Sequence, residues 1–101
     1  MKYKEFLEYL QNNLAGYKVF MEKATVYQNE KNKNRTAKKR WDGEKVKRAA
    51  YEMWKKSMQP LYDTIKNGAK SDSSFAWMEF IKKNNVLESV NDGISELDFN
   101  E

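Results

Sequence analysis

Eleven Lys and Arg side chains fall between residues 31 and 56 against three acids, a density of ammonium and guanidinium groups whose natural chemistry is the binding of phosphate. They are Lys31, Lys33, Arg35, Lys38, Lys39, Arg40, Lys45, Lys47, Arg48, Lys55 and Lys56. A stripe of this kind neutralises phosphates and releases their condensed counterions, the term that supplies most sequence-independent nucleic-acid affinity. The charge is regional. Residues 1–30 carry four bases and four acids and residues 57–101 carry four and eight, so the chain reads 0, +8 and −4 along its length within a net +4. Three Arg among nineteen bases argue against bidentate reading of base edges and for contact with phosphate. Trp41, at the end of the basic run with no apolar stripe to join, is placed to stack on an exposed base or lie across a ribose. The candidate interface is Lys31, Lys33, Arg35, Lys38, Lys39, Arg40, Trp41, Lys45, Arg48 and Lys55, with DNA or RNA as the partner.

Other chemistry is hard to build from this composition. His and Cys are absent, which removes Ser-His and Cys-His nucleophile pairs and imidazole or thiolate metal sites. The carboxylates alternate with Lys on helix faces or gather near the C-terminus, away from any inferred cleft where a general acid and base could face each other. Setting Gly93 as the sixth position of a calcium loop puts Glu88 first, Val90 third and Phe99 twelfth, where a bidentate Glu is required, so that motif fails. Four scattered glycines make neither GxGxxG nor GxxxxGK[ST]. The expectation is a binding protein without catalytic residues, metal, cofactor or small-molecule substrate.

Glu88, Asp92, Glu96, Asp98 and Glu101 follow Lys83 with no base among them. Such a stretch either folds back to screen the basic stripe or mimics nucleic acid against a partner's positive groove. The second possibility suits an inhibitor of a nucleic-acid-processing protein, of the anti-restriction or anti-CRISPR type, and is the alternative to direct phosphate binding. Sixteen Lys to three Arg, with ten Asn, is the bias AT-rich codons produce, as in low-GC bacteria and their mobile elements and phages. No stretch approaches the roughly 20 apolar residues of a membrane span, and Lys2, Lys4, Glu5 and Glu8 interrupt any signal-like apolar run. With no cysteine, a reducing, cytoplasmic setting is expected.

The elements that must carry these charges are helical. At 101 residues, 40% apolar and 14% aromatic, the chain suits a single domain, residues 1–101, with one modest core. Phe6, Leu10, Leu14, Tyr17, Met21, Ala24 and Tyr27 recur at spacings of three and four, a helical stripe. Asn13 to Gly16 predicts a break in it. Residues 29–41, NEKNKNRTAKKRW, offer no aliphatic anchor and read as a basic loop or mobile arm. Asp42 is a helix N-cap with Glu44 in the first turn, and residues 43–67 form a long central helix, with Pro60 predicting a kink or restart near Gln59. Asn67 and Gly68 read as its stop. Lys47 projects into its apolar arc near Trp54 and Met58, with its stem lying along that arc. Asp72 or Ser73 caps a helix over 75–83. VLESVNDG allows one more short helix capped by Gly93, before an acidic tail over 92–101. The class is all-α, a small bundle of four to five helices. Trp54, Tyr51, Phe75, Trp77 and Phe80 are expected in the core, and the central helix is expected to touch every other helix through Met53, Trp54, Leu61 and Ile65.

Overall fold

Asp42 begins the longest element. Its carboxylate accepts a 2.9 Å hydrogen bond from the Lys45 amide, satisfying one of the free donors that open a helix. A computed structural model describes residues 1–69 and 71–99. They form five helices: α1 (Tyr3–Asn13), α2 (Gly16–Lys33), α3 (Gly43–Gly68), α4 (Ser74–Lys83) and α5 (Val86–Ser95), with a 3-10 turn at Ala37–Lys39 between α2 and α3. The fold is all-α, and no strand occurs among the described residues. Helix α3 packs against α1, α2 and α4, while α5 packs against α2 and α4.

The core follows from helical spacing. Phe6, Leu7, Leu10 and Leu14 bury one side of α1, Phe20 and Ala24 one side of α2, and Val46, Ala50, Trp54, Met58 and Ile65 one side of α3. Two aromatic groups fill it. The Trp54 ring lies edge-on to Tyr17 at 5.0 Å and Phe20 at 5.1 Å, while Trp77 meets Phe6 at 5.8 Å and Tyr62 at 5.0 Å. The indole N–H groups of Trp54 and Trp77 are buried without a hydrogen-bond partner. Gln28 is buried within α2 and its amide reaches the Met53 sulfur at 3.1 Å.

The break at Asn13 to Gly16 stands where the glycine predicts it, for a reason that lies elsewhere in the chain. The Gly16 amide donates to the Asn91 side chain at 2.7 Å, and a Cβ at Gly16 would come within 2.5 Å of that oxygen. The glycine admits α5 to the start of α2. Gly68 acts similarly, since a Cβ there would lie 2.5 Å from the Phe80 ring.

Several expectations need correction. Residues 29–33 are not loop but the last turns of α2, because elongating a helix already nucleated by buried turns costs little and Lys31 and Lys33 suit its negative end. Of the kink or restart expected near Gln59, the restart does not occur, since α3 runs unbroken through Pro60. Buried Trp54 and Met58 before it and Ile65 after it pin the helix on both sides. Gly93 lies inside α5, and the end of α5 is instead held by Lys23, whose ammonium donates to the carbonyls of Ile94, Ser95 and Leu97 at 2.9, 3.1 and 2.9 Å. The acidic tail is accordingly helical to Ser95; Leu97 and Phe99 then pack on the core, Phe99 against Phe20 at 5.4 Å and Tyr27 at 5.8 Å, whereas the end of the predicted tail, residues 100–101, lies outside the described residues. Phe75 is 72% exposed. It lies two residues, about 200°, from buried Trp77, so the two cannot share a face. Lys47 is exposed as well, because Val46 and Ala50 alone fill the buried side of α3 at that level. Ser73, not Asp72, caps α4, accepting from the Ala76 amide at 3.1 Å.

Candidate nucleic-acid interface

Helices α2 and α3 form an antiparallel hairpin, and the basic run occupies its closed end. Asn32 makes that end. Its side-chain amide donates to the Trp41 carbonyl at 3.0 Å and its oxygen accepts from the Trp41 amide at 2.8 Å, the two-point grip one strand residue makes on another. Trp41 is thereby fixed beside the last turn of α2. Between them the chain turns tightly: the amides of Arg35 and Lys39 bond back to the carbonyls of Asn32 and Thr36, and Arg40 folds inward to donate to the Arg35 and Lys33 carbonyls, both at 3.3 Å. The part of the expected basic loop or arm that follows α2 is a hydrogen-bonded connection. The polar atoms that satisfy its backbone belong to Asn and Arg, not to an apolar anchor.

Trp41 is half-buried, and the Arg35 guanidinium lies over its ring at 3.9 Å, with the Lys45 ammonium 5.5 Å from the ring centre. Arg35 also donates to the Asn32 oxygen at 3.3 Å. Lys31 lies over the Tyr27 ring at 5.3 Å. By contrast, the side chains of Lys38, Lys39 and Arg48 are exposed and make no hydrogen bond or ion pair among the described residues.

From Glu30 to Arg48 the chain has nine bases and three acids. Two of the acids are engaged: Glu30 sits 3.6 Å from the Lys33 ammonium and Asp42 caps α3. Helix α3, with 26 residues, is about 39 Å long, so within a molecule of 51 × 25 × 20 Å it must lie along the long axis. The hairpin tip therefore occupies one end of that axis. Helix α5 meets α2 at its opposite end, where Asn91 touches Gly16, and Gly16 precedes Lys33 by about 26 Å of helix. Glu88 and Asp92, flanking Asn91 in α5, are held away from the basic end.

The chain matches no family model, no curated protein and no solved structure.

The structure thus brings Lys31, Lys33, Arg35, Lys38, Lys39, Arg40, Trp41, Lys45 and Arg48 to one end, and leaves Lys55 out. Lys55 lies about 15 Å further along α3 than Lys45, half-buried and paired with Glu52 at 3.1 Å. Its backbone carbonyl accepts from the Tyr3 hydroxyl, whose pKa burial pushes above the usual tyrosine value, so Lys55 belongs to the α1–α3 contact. Asn32 is the residue sequence reasoning missed. Its only signal was an Asn in a Lys-rich tract nine residues before a Trp, which no periodicity distinguishes. A shallow depression of about 450 Å³ adjoins it, lined by Val26, Asn29, Glu30, Lys33 and Arg40. Among the described residues no three metal-ligating side chains converge, and no helix is long and apolar enough to cross a membrane.

Proposed function

We propose that this is a small non-catalytic cytoplasmic protein whose basic hairpin end binds the phosphate backbone of nucleic acid, in a bacterial mobile element or phage. The observation that carries this reading is the gathering of nine bases at one end of the molecule, with two of the three acids among them already engaged. Lysines are point charges suited to phosphate without base reading. Lys31, Lys38, Lys39, Lys45 and Arg48 are the exposed contacts. Arg40 uses its Nε and one Nη to hold the connection and presents what remains of its fork.

About five such contacts to a duplex give a slope near −4.5 in log affinity against log salt. Changing Lys38, Lys39 and Arg48 together to Gln, none of which supports the fold through a hydrogen bond, flattens that slope by about 2.7. Fluorescence anisotropy with a labelled 20-base-pair duplex measures both. Absence of binding at low salt, or binding that the triple change leaves intact, overturns the proposal.

A second reading draws on Phe75 and Met78, which are exposed together on α4. Large apolar side chains in the open mark protein contact sites, as an inhibitor of a nucleic-acid-processing protein requires. That reading expects one stoichiometric protein to be retained through nuclease treatment and lost on Phe75→Ser.

A further inference from the structure

We infer that the basic end straddles the major groove of a duplex, and that Trp41 serves it as the seat of Arg35 and not as a platform for an unpaired base. The inference rests on the phosphate-binding reading and specifies the form of nucleic acid.

Proteins that hold single strands do so by laying bases on aromatic faces. A stacked base would occupy the van der Waals separation of about 3.5–4.0 Å above the ring. The Arg35 guanidinium already stands over Trp41 at 3.9 Å. It is not a loose neighbour: Asn32 grips the Trp41 backbone from both sides and accepts from Arg35 as well. These three residues close on one another, so a base entering on that face has to displace a cation held at two points. A guanidinium over an indole keeps its N–H donors at its edge; Nη1 of Arg35 is used by Asn32, and the donors that remain are the ones a phosphate oxygen would take. Trp41 is therefore a positioning residue.

The dimensions select the duplex. Each helix with its side chains is about 10–12 Å across, and the molecule's cross-section is 25 × 20 Å. The major groove of B-form DNA is about 12 Å wide. A tip built of two helices side by side does not enter it. The tip can lie across it, with α2 and the connection over one strand and the start of α3 over the other. Lys31 on α2 and Arg48 on α3 then face phosphates on opposite sides of the groove, an arrangement a single strand cannot supply. Contacts of this kind carry no sequence information.

The test compares a labelled 20-base-pair duplex of mixed sequence with one of its strands, at low salt, using the full chain. The expected result is at least tenfold tighter binding of the duplex, unchanged within about threefold when its sequence is scrambled. Trp54 and Trp77 are buried, so acrylamide-accessible emission reports Trp41, and it should stay accessible and unquenched in the complex. Arg35→Gln and Trp41→Leu should each flatten the duplex salt slope by about 0.9, and the double variant by no more than either. Trp41→Phe, which keeps a ring under Arg35, should restore the slope. Equal or tighter binding of the single strand, with quenching of Trp41, overturns the inference while leaving phosphate binding standing. Failure of both nucleic acids to bind overturns the phosphate-binding reading and this inference with it.

Discussion

Trp54 and Phe75 show how far single residues could be read. Both sit at helical spacing among apolar neighbours, yet one is wholly enclosed and the other open. Spacing gives the angle of a side chain around its own helix and says nothing of how many sides that helix buries. Trp54 lies on the side of α3 that Tyr17 and Phe20 cover, whereas α4 buries only the arc of Trp77 and Ile81. Trp54→Ala should therefore cost about 3–5 kcal/mol, and Phe75→Ser less than about 0.5 kcal/mol. Urea unfolding of the two variants measures the difference, and comparable losses would contradict the burial assigned to each. Lys23 is the residue whose role was least visible. Its partners are carbonyls more than 70 positions away, and no local pattern announces a lysine that caps a different helix.

The helices themselves were largely legible, because caps and stripes are local. Asp42 opens α3 and the Asn13 to Gly16 break separates α1 from α2. Where a local signal met tertiary packing, packing prevailed. Pro60 lacks the amide that would complete a helical bond, yet α3 continues, held by Met58 and Ile65 on either side. If packing alone carries the helix through that site, removing the defect should stabilise the protein. Pro60→Ala is expected to raise unfolding free energy by about 1–3 kcal/mol, with no change in helix content by circular dichroism. A loss of stability would mean that the proline shapes α3 in a way the bundle needs. The connection from Asn34 to Trp41 is the converse case. Read as a basic loop or arm for want of apolar residues, it is held by Asn32 and Arg40. Asn32→Leu should release it, so that amides of 35–41 exchange rapidly with solvent while those of α3 stay protected; equal protection in both proteins would show that Asn32 is dispensable.

At the scale of the whole molecule, the basic run read from the sequence gathers at one end of the long axis, while the acidic segment starts from Asn91 beside Gly16 and returns along α2 to Phe99 beside Tyr27. Cations crowded at a tip repel one another, and in the free protein that repulsion opposes folding. Nucleic acid relieves it by supplying the missing anions. The same side chains should thus weaken the free fold slightly and strengthen the complex. Like charges on neighbouring surface positions each cost about 0.2–0.5 kcal/mol, so the change of Lys38, Lys39 and Arg48 to Gln should raise the melting temperature at low salt by about 2–12 °C. Salt shortens the Debye length to about 3 Å at 1 M, so the gain should vanish there, as the parent protein's own melting temperature rises towards that of the variant. Thermal melts of both proteins from low salt to 1 M measure this directly. A variant that melts lower at every salt concentration would show that these three side chains support the fold. Its flattened binding slope could then reflect a damaged tip, and the assignment of Lys38, Lys39 and Arg48 to phosphate would lose its cleanest support.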